Sequence, residues 1–275
     1  MKVEFSVLIS VYKQENPDYF DQALKSVYFD QTLKPSEIVL VRDGMLTPDL
    51  ELVIKKYKTL LKEKLIVVGY SSNKGLGFAL NYGLKNCRNE IVARFDTDDL
   101  CIPERFKIQL KVFDQNPELA IVGSYINEFY EIPGDLNQLR KVPLRSKQIQ
   151  KNKNLKNPFN HMTVGFRKSI IEEVGGYIDM PGYEDYYLWL RVLKKYNGLN
   201  YHKPLVFARI GNNMIKRRQG IEFLKKEVLF QNRLLKDGLI SLPIYVRNIF
   251  LRVTPRILPV FALELIYFKF LRGIK

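Results

Sequence analysis

An apolar strand pattern runs directly into an acidic cluster in the stretch Glu90-Ile91-Val92-Ala93-Arg94-Phe95-Asp96-Thr97-Asp98-Asp99. Its β-branched and aromatic residues predict a buried strand that ends near Phe95. Side chains alternate faces along an extended chain, so Asp96 and Asp98 are expected to point the same way. Two carboxylates this close repel each other unless a cation lies between them. The stretch therefore predicts a cation site just beyond the end of a strand.

Strand and helix patterns alternate over the first 130 residues around this stretch. Predicted strands cover residues 5–11, 37–41, 65–68, 90–95 and 120–130. Two predicted helices begin at the N-caps Asn16 and Thr47. Two more are predicted over residues 75–86 and 103–116. Further on, the pattern predicts strands over 162–167 and 201–208 and helices over 183–196 and 220–236. This order predicts an α/β fold with a doubly wound, mostly parallel sheet and helices on both faces.

The cation site has an alternative, because an acidic turn can also cap the next helix, as Asp99 alone can do. Ligands of such sheets bind beyond the carboxyl ends of the strands, where Asp96 and Asp98 are expected. Hard divalent ions, Mn²⁺ or Mg²⁺, suit carboxylates together with substrate phosphates. We therefore favour Asp96 and Asp98 as metal ligands.

Three other polar positions follow predicted strands or precede predicted helices. Asp43 precedes Gly44 and is either a turn residue or a hydrogen-bond partner of a nucleotide base or ribose. Asn73-Lys74-Gly75 is either a glycine-rich helix start or a loop from which Lys74 reaches a phosphate. Glu184 and Asp185 begin a helix, where they either offset the helix dipole or supply a general base facing the metal.

Charge and cysteine content narrow the class of protein. The chain has 275 residues, with 44 Lys and Arg against 29 Asp and Glu, a net charge of +15. This charge favours a nucleic acid, a phosphorylated substrate or an acidic membrane face as partner, or else a basic surface that aids solubility. Cys87 and Cys101 lack disulfide-framework or zinc-site spacing, so a reducing cytosolic compartment is expected. No signal peptide or transmembrane helix is predicted.

Of the two histidines, His161 and His202, only His161 is a candidate ligand, and a structural role is the alternative.

Taken in order, the motifs resemble those of family 2 glycosyltransferases, the inverting enzymes of the nucleotide-diphospho-sugar transferase (GT-A) fold. The motifs are Ser10-Val11-Tyr12, Asp43-Gly44, Asn73-Lys74-Gly75, Asp96-Thr97-Asp98-Asp99, Gly175-Gly176-Tyr177 and Glu184-Asp185. The resemblance covers roughly residues 5–235. It implies that Ser10, Tyr12 and Asp43 line the nucleotide pocket, with Lys74 and Arg94 near it. It also implies that Asp96 and Asp98 bind the metal and diphosphate, and that Asp185 is the catalytic base, with Glu184 as the rival.

One departure from the family pattern concerns the nucleotide base, because Arg42 stands where many relatives carry a second Asp. The Arg-Asp-Gly and Asp-Thr-Asp-Asp variants resemble a bacterial subgroup that adds galactose or glucose to undecaprenyl-diphosphate-linked GlcNAc during O-antigen or capsule assembly. The resemblance implies a UDP-sugar donor, a β-linked product and a peripheral location on the cytoplasmic face of the inner membrane.

The same resemblance guides the interpretation of the domain organisation and of the excess of basic residues. Residues 1–236 are expected to be the catalytic domain, with a nucleotide-sugar half (1–130) and an acceptor half (131–236), and 237–275 a basic apolar extension of helices. Residues 136–171 hold nine Lys or Arg and no acid, so they could attract the acceptor's diphosphate. The tail could insert aromatic side chains into an anionic membrane surface. Alternatively, its helices could pack on the catalytic domain and form the contact of a homodimer. Those aromatic residues are Phe250, Phe261, Tyr267 and Phe268.

Three rival functions are less compatible with the motifs. A sugar-1-phosphate nucleotidyltransferase needs a glycine-rich basic loop where this chain has Ser10-Val11-Tyr12-Lys13-Gln14. A nucleic-acid binder would explain the charge but not the aspartates, so we expect no nucleic-acid partner. A phosphatase with an Asp-x-Asp nucleophile would carry that motif on the first strand rather than the fourth.

Overall fold

The computed structural model describes residues 4–136, 138–210 and 221–257, with side chains up to residue 252. The chain divides into two compact units, Met1–Gly211 and Asn212–Lys275. The predicted functional boundary after Lys236 stays a prediction. Of the tail residues predicted to meet a membrane, Phe250 is described, whereas Phe261, Tyr267 and Phe268 lie outside the described residues.

The first unit is built on one mixed sheet, which in the described residues contains nine strands in the order β3-β2-β1-β4-β8-β6-β9-β5, with β7 beside β6. The strands are β1 (Phe5–Val11), β2 (Glu37–Asp43), β3 (Leu65–Tyr70), β4 (Ile91–Phe95), β5 (Leu100–Cys101), β6 (Leu119–Phe129), β7 (Gln138–Arg140), β8 (Gly165–Arg167) and β9 (Asn197–Arg209). Strands β1 to β4 are parallel to one another, and β6 is parallel to β9. Antiparallel β8 joins the two parallel groups. The predicted α/β class and mostly parallel sheet are confirmed.

The helices predicted from the sequence are present, together with two short ones that were not predicted. They are α1 (Pro17–Tyr28), α2 (Pro48–Leu61), α3 (Leu76–Asn86), α4 (Arg105–Gln115), α5 (Ser146–Asn152), α6 (Lys168–Glu173) and α7 (Glu184–Val192), followed in the second unit by α8 (Ile221–Lys236) and α9 (Leu242–Ile257). The two predicted N-caps are present. The Asn16 side chain accepts from the N–H of Asp18 at 2.8 Å, and Thr47 accepts from the N–H of Leu50 at 3.4 Å. Among the described residues, no helix has both the length and the apolar character needed to cross a bilayer.

The sheet separates two apolar cores because neighbouring side chains of each strand point to opposite faces. Val7 and Ile9 of β1 pack on one face with Leu24 of α1. Leu8, between them, packs on the other face with Leu80 of α3 and Trp189 of α7. Helices α3 and α7 therefore share one face, which places the N-terminus of α7, with its acidic pair, beside α3.

The structure differs from the sequence prediction mainly at element ends. The predicted strand over 162–167 begins only at Gly165, because His161–Thr163 form a 3₁₀ turn. The helix predicted over 183–196 ends at Val192. The sequence did not predict β5, β7, α5 and α6, which have seven residues or fewer and so show too little periodicity.

Candidate active site

A cavity of about 420 Å³ opens where strands β1, β2 and β4 end. Its wall contains five side chains that the sequence predicted for the site: Ser10, Tyr12, Asp43, Asp96 and Asp98. Residues that are far apart in the chain meet here because the carboxyl ends of parallel strands lie at one edge of the sheet. Glu15, which the sequence did not predict, and Asn73, which was named only as part of a motif, also line the cavity.

Asp43 is buried at the end of β2, and four donors of the protein form hydrogen bonds to its carboxylate. Oδ1 accepts from the Tyr70 hydroxyl at 2.9 Å and from the Lys74 N–H at 2.7 Å. Oδ2 accepts from Asn73 Nδ2 at 3.0 Å and from the Gly75 N–H at 3.1 Å. A carboxylate has about four acceptor positions. Asp43 thus orders the loop that starts α3, and its contact with a nucleotide stays a prediction.

Lys74 donates its backbone N–H to Asp43, but its side chain is not among those that line the cavity. Its ammonium lies 4.5 Å from the ring centre of Phe78 and 5.3 Å from that of Tyr70. These are cation–π distances. This arrangement holds the Lys74 ammonium on aromatic rings. The predicted contact of Lys74 with a phosphate stays a prediction.

Arg94 is buried at the end of β4 and forms a two-contact ion pair with Asp96. The Arg94 backbone is held by a hydrogen bond from Arg105 to its carbonyl at 2.8 Å. Such a paired guanidinium fixes the carboxylate in both position and orientation. Arg94 thus positions Asp96 in the cavity wall.

Asp98 carries negative charge that the protein compensates only in part. Burial and the neighbouring carboxylate of Asp96 raise the pKa of Asp98 to about 6, against the opposing charges of Arg94 and Arg209. Burial and the carboxylates of Asp98 and Asp96 raise the pKa of Asp99 well above its usual value. A cation added beside Asp98 would offset the repulsion that raises these values.

Asp99 does not cap the next helix, because its Oδ1 accepts instead from the backbone N–H of Arg209 at 2.8 Å. Arg209, the last residue of β9, also donates from Nε to the Asp98 carbonyl at 3.1 Å. Its guanidinium stacks 3.7 Å from the ring centre of Tyr19 and 4.5 Å from that of Phe129. Arg209 holds the acidic loop in place. Nothing in the sequence pattern singles it out, since it lies 110 residues from Asp99.

The acidic pair of α7 has two distinct environments. Glu184 accepts from the nearby N–H of Gly182 at 2.9 Å, and burial raises its pKa. Asp185 accepts at Oδ2 from Asn157 Nδ2 at 2.6 Å. Burial raises the pKa of Asp185, and the hydrogen bond from Asn157 and the charge of Arg94 limit this rise. The sequence analysis missed Asn157, which lies in the connection after α5.

A buried aromatic cluster of Tyr177, His161 and Trp189 lies within electrostatic reach of both Asp96 and the acids of α7. The Tyr177 hydroxyl and His161 Nε2 are 2.9 Å apart, and the His161 ring also contacts Trp189. Burial and the charge of Arg94 lower the pKa of His161 well below its usual value, so this side chain is neutral. Burial raises the pKa of Tyr177, and the carboxylates of Asp185, Asp96 and Glu184 raise it further against the charge of Arg94. The charge of Arg94 lowers the pKa of both Asp98 and Asp185, although Asp185 is not among the residues lining the cavity. His202 is exposed in β9, away from this cluster.

The donor set suits a divalent cation shared with a substrate. Within the described residues, no three His, Cys, Asp or Glu side chains form a ready-made metal cluster. Magnesium and manganese sites that act on phosphates commonly use one or two carboxylates and complete the shell with phosphate and water. Asp98, with its raised pKa and its place in the cavity wall, fits this chemistry, and Asp96 would be the second oxygen donor.

The fold and the site together define a class: a transferase with a cavity and paired acids at the carboxyl edge of an α/β sheet. The glycosyl transferase family 2 pattern matches residues 6–175. The chain is 38% identical over 273 residues to the amylovoran biosynthesis glycosyltransferase AmsE of Erwinia amylovora, covering 98% of this chain and 100% of that protein. It is 37% identical over 270 residues to the UDP-Gal:alpha-D-GlcNAc-diphosphoundecaprenol beta-1,3-galactosyltransferase of Escherichia coli, covering 98% and 97%.

The same fold is found in a solved glycosyltransferase structure. S. aureus TarS residues 1–349, in complex with UDP-GlcNAc, superposes with a TM-score of 0.64 at 17% identity, over 94% of this chain and 77% of that one. The chain belongs to glycosyl transferase family 2, and it is a glycosyltransferase with the GT-A fold. This result confirms the family that the sequence motifs indicated, in place of the nucleotidyltransferase alternative.

Proposed function

We propose that the protein is a metal-dependent, inverting hexosyltransferase that moves galactose or glucose from a UDP-sugar to a sugar linked to undecaprenyl diphosphate. The product is a β-linked unit of an O-antigen or capsular polysaccharide. One observation carries the proposal: Asp96 and Asp98 line a cavity at the strand ends, and the buried Arg94 that pairs with Asp96 also lowers the pKa of Asp185. The Escherichia coli relative, named for the same chemistry, supports the choice of substrates.

The donor half of the reaction belongs to the cavity. Ser10 and Tyr12 at the end of β1 would contact the nucleoside, and Asp43 would hold the loop around it. Asp98, assisted by Asp96, would hold Mn²⁺ or Mg²⁺ against the diphosphate. When bound, such an ion stabilises the charge that develops on the leaving nucleoside diphosphate. Arg94 keeps Asp96 oriented while this occurs.

The acceptor half of the reaction needs a base. Asp185 takes the proton from the acceptor hydroxyl as its oxygen attacks the anomeric carbon on the side opposite the leaving group. One displacement inverts the anomeric centre, so an α-linked donor gives a β-linked product. Asp185 suits this role better than Glu184 because a side chain from another part of the chain, Asn157, fixes its orientation.

The acceptor's chemistry also explains the basic residues between 136 and 171, which offer positive charge to its diphosphate. A lipid-linked acceptor places the enzyme at the cytoplasmic face of the inner membrane, as a peripheral protein. Residues 1–236 would then carry catalysis and 237–275 the membrane contact.

The test is a panel of nucleotide sugars offered with a short-chain lipid-diphosphate-GlcNAc acceptor. We expect UDP release and a disaccharide product with UDP-galactose or UDP-glucose, and none when the acceptor's sugar is absent. Exclusive use of a donor that is not a UDP-hexose, or hexose transfer only to acceptors without a diphosphate, would contradict the proposal.

A further inference from the structure

The two helices of the C-terminal unit, α8 and α9, bury polar groups between them. Glu227, Gln231 and Asn248 are each 1% exposed. Gln231 Nε2 donates to Glu227 Oε1 at 3.0 Å, and Asn248 Nδ2 donates to Gln231 Oε1 at 3.0 Å. Arg252 donates to the same Glu227 oxygen at 2.9 Å. This chain of bonds satisfies the polar groups inside the helix pair.

The outside of α9 has the opposite polarity. Leu242, Val246 and Phe250 are 61%, 58% and 66% exposed. Their spacing of four residues places them along one line of the helix, which we call the apolar stripe. Leu251, 52% exposed, lies about 100° around the helix from Phe250 and is not part of the stripe. The helix pair thus buries these polar groups beside the apolar Phe230 and Leu234, while the large apolar side chains of the stripe stay exposed. Exposed apolar patches of this kind mark surfaces that contact a partner or a membrane.

Charge distinguishes a lipid surface from a second copy of the chain. Residues 238–263 contain three arginines and no Asp or Glu. One of them, Arg247, is exposed on α9 directly after Val246. A symmetric pairing of two stripes would bring together two α9 helices that each carry three arginines and no carboxylate, so like charges would oppose the pairing. Anionic headgroups supply that negative charge, and an arginine stem can reach them while the apolar neighbours insert.

We infer that the apolar stripe of α9 lies in the interfacial layer of an anionic bilayer, with Arg247 at the headgroup phosphates. The helix then lies along the surface, as amphipathic helices of this composition do. The inference rests on the proposed function only for its purpose, which is to bring the enzyme to a lipid-borne acceptor; the geometry of the hairpin is independent of it.

The test uses the full chain in vesicle flotation. The stripe variant carries Leu242→Gln, Val246→Gln and Phe250→Gln. A matched control carries the same change at three exposed apolar residues of the first unit, Leu52, Leu60 and Ile132. Phosphatidylcholine vesicles are compared with vesicles that also contain phosphatidylglycerol. Circular dichroism and the melting temperature show whether each variant folds.

We expect the unaltered chain and the control to float with the anionic vesicles. The stripe variant should partition at least about 100-fold more weakly, because three apolar side chains no longer leave water. Binding should weaken in high salt and should be weaker to vesicles of phosphatidylcholine alone.

Several results would overturn the inference: no vesicle binding by the unaltered chain, equal binding by the stripe variant, or a dimer that only the stripe variant dissociates. Stronger vesicle binding after truncation following Ile257 would show that residues 258–275 cover the stripe, and would also overturn it. Transfer to a short-chain, water-soluble acceptor is measured alongside. Vesicle binding without any hexose transfer would refute the proposed reaction and leave the inference standing. Transfer without stripe-dependent binding would refute the inference and leave the proposed reaction standing.

Discussion

The side-chain amide of Asn157 donates to Oδ2 of Asp185 over 2.6 Å, and the amide is itself oriented by the Phe159 N–H, which donates to Asn157 Oδ1 over 3.3 Å. This bond favours the ionised form of a carboxyl whose pKa burial raises. Other groups act on the same carboxyl, since Arg94 lowers its pKa and the neighbouring Glu184 carries a like charge. Asn157 is therefore a positioning residue for the proposed base.

Replacing Asn157 with Leu removes the donor, so the pKa of Asp185 should rise further. A larger fraction of the base is then protonated near neutral pH, and the acidic limb of the kcat–pH profile should move to higher pH. We expect kcat at neutral pH to fall about 10-fold or more, as for loss of a hydrogen bond to a charged group. Asn152→Leu, which removes a bond to the Gln148 carbonyl of α5, is the control and should leave the profile in place. An unshifted profile in the Asn157 variant would show that the bond does not tune the base.

Asp185→Asn should lower transfer by about 10³-fold, within the usual range for a general base, while Glu184→Gln stays within about 10-fold. The Asn variant should also be at least as stable as the parent at neutral pH. A carboxyl with a raised native pKa binds more protons in the folded state, so its contribution to stability falls as pH rises. Steady-state kinetics and urea denaturation measure both effects, and a reversed ranking of the two variants would assign the base to Glu184.

Asp98→Asn should raise the stability of the ligand-free protein but weaken its binding of Mn²⁺ and UDP. The substitution removes a partly buried carboxylate whose pKa is raised to about 6, so the ligand-free protein should melt at a higher temperature. The increase in melting temperature on adding Mn²⁺ and UDP together should be lost, because the proposed metal ligand is gone. Differential scanning fluorimetry records both quantities. A preserved response to Mn²⁺ and UDP would remove Asp98 from the metal site.

Arg94→Met should destabilise the fold by about 3–5 kcal/mol, the usual cost of leaving a buried carboxylate without its cation. The loss arises because Asp96 forfeits its two-contact partner and because Asp98, Asp99 and Asp185 lose a compensating charge. Lys25→Met, which breaks an exposed pair with Asp30, is the control and should cost no more than about 1 kcal/mol. Equal effects in urea denaturation would mean that Arg94 does not compensate the cluster.

Local signals explain what the sequence could predict. The strands around Leu8 and the caps at Asn16 and Thr47 depend on neighbouring residues, so pattern and cap chemistry are enough to place them. The convergence of Ser10, Asp43 and Asp98 followed from one topological rule about parallel strands.

Long-range side-chain contacts explain what it could not predict. Asn157 lies 28 residues before Asp185, and Arg209 lies 110 residues after Asp99, with no periodic signal to connect either pair. The Asp43 carboxylate is a related case. Its residue type indicated a turn or a ligand contact, but only the folded loop shows that four donors from residues 70–75 occupy it.

The most direct test of the metal-dependent, inverting reaction is the product formed from an α-linked UDP-hexose and a lipid-diphosphate-GlcNAc acceptor, with and without EDTA. We predict a β-linked disaccharide by the NMR coupling of its anomeric proton, loss of transfer in EDTA, and recovery when Mn²⁺ or Mg²⁺ is restored. An α-linked product, or transfer that continues undiminished in EDTA, would contradict the roles assigned to Asp98 and Asp185.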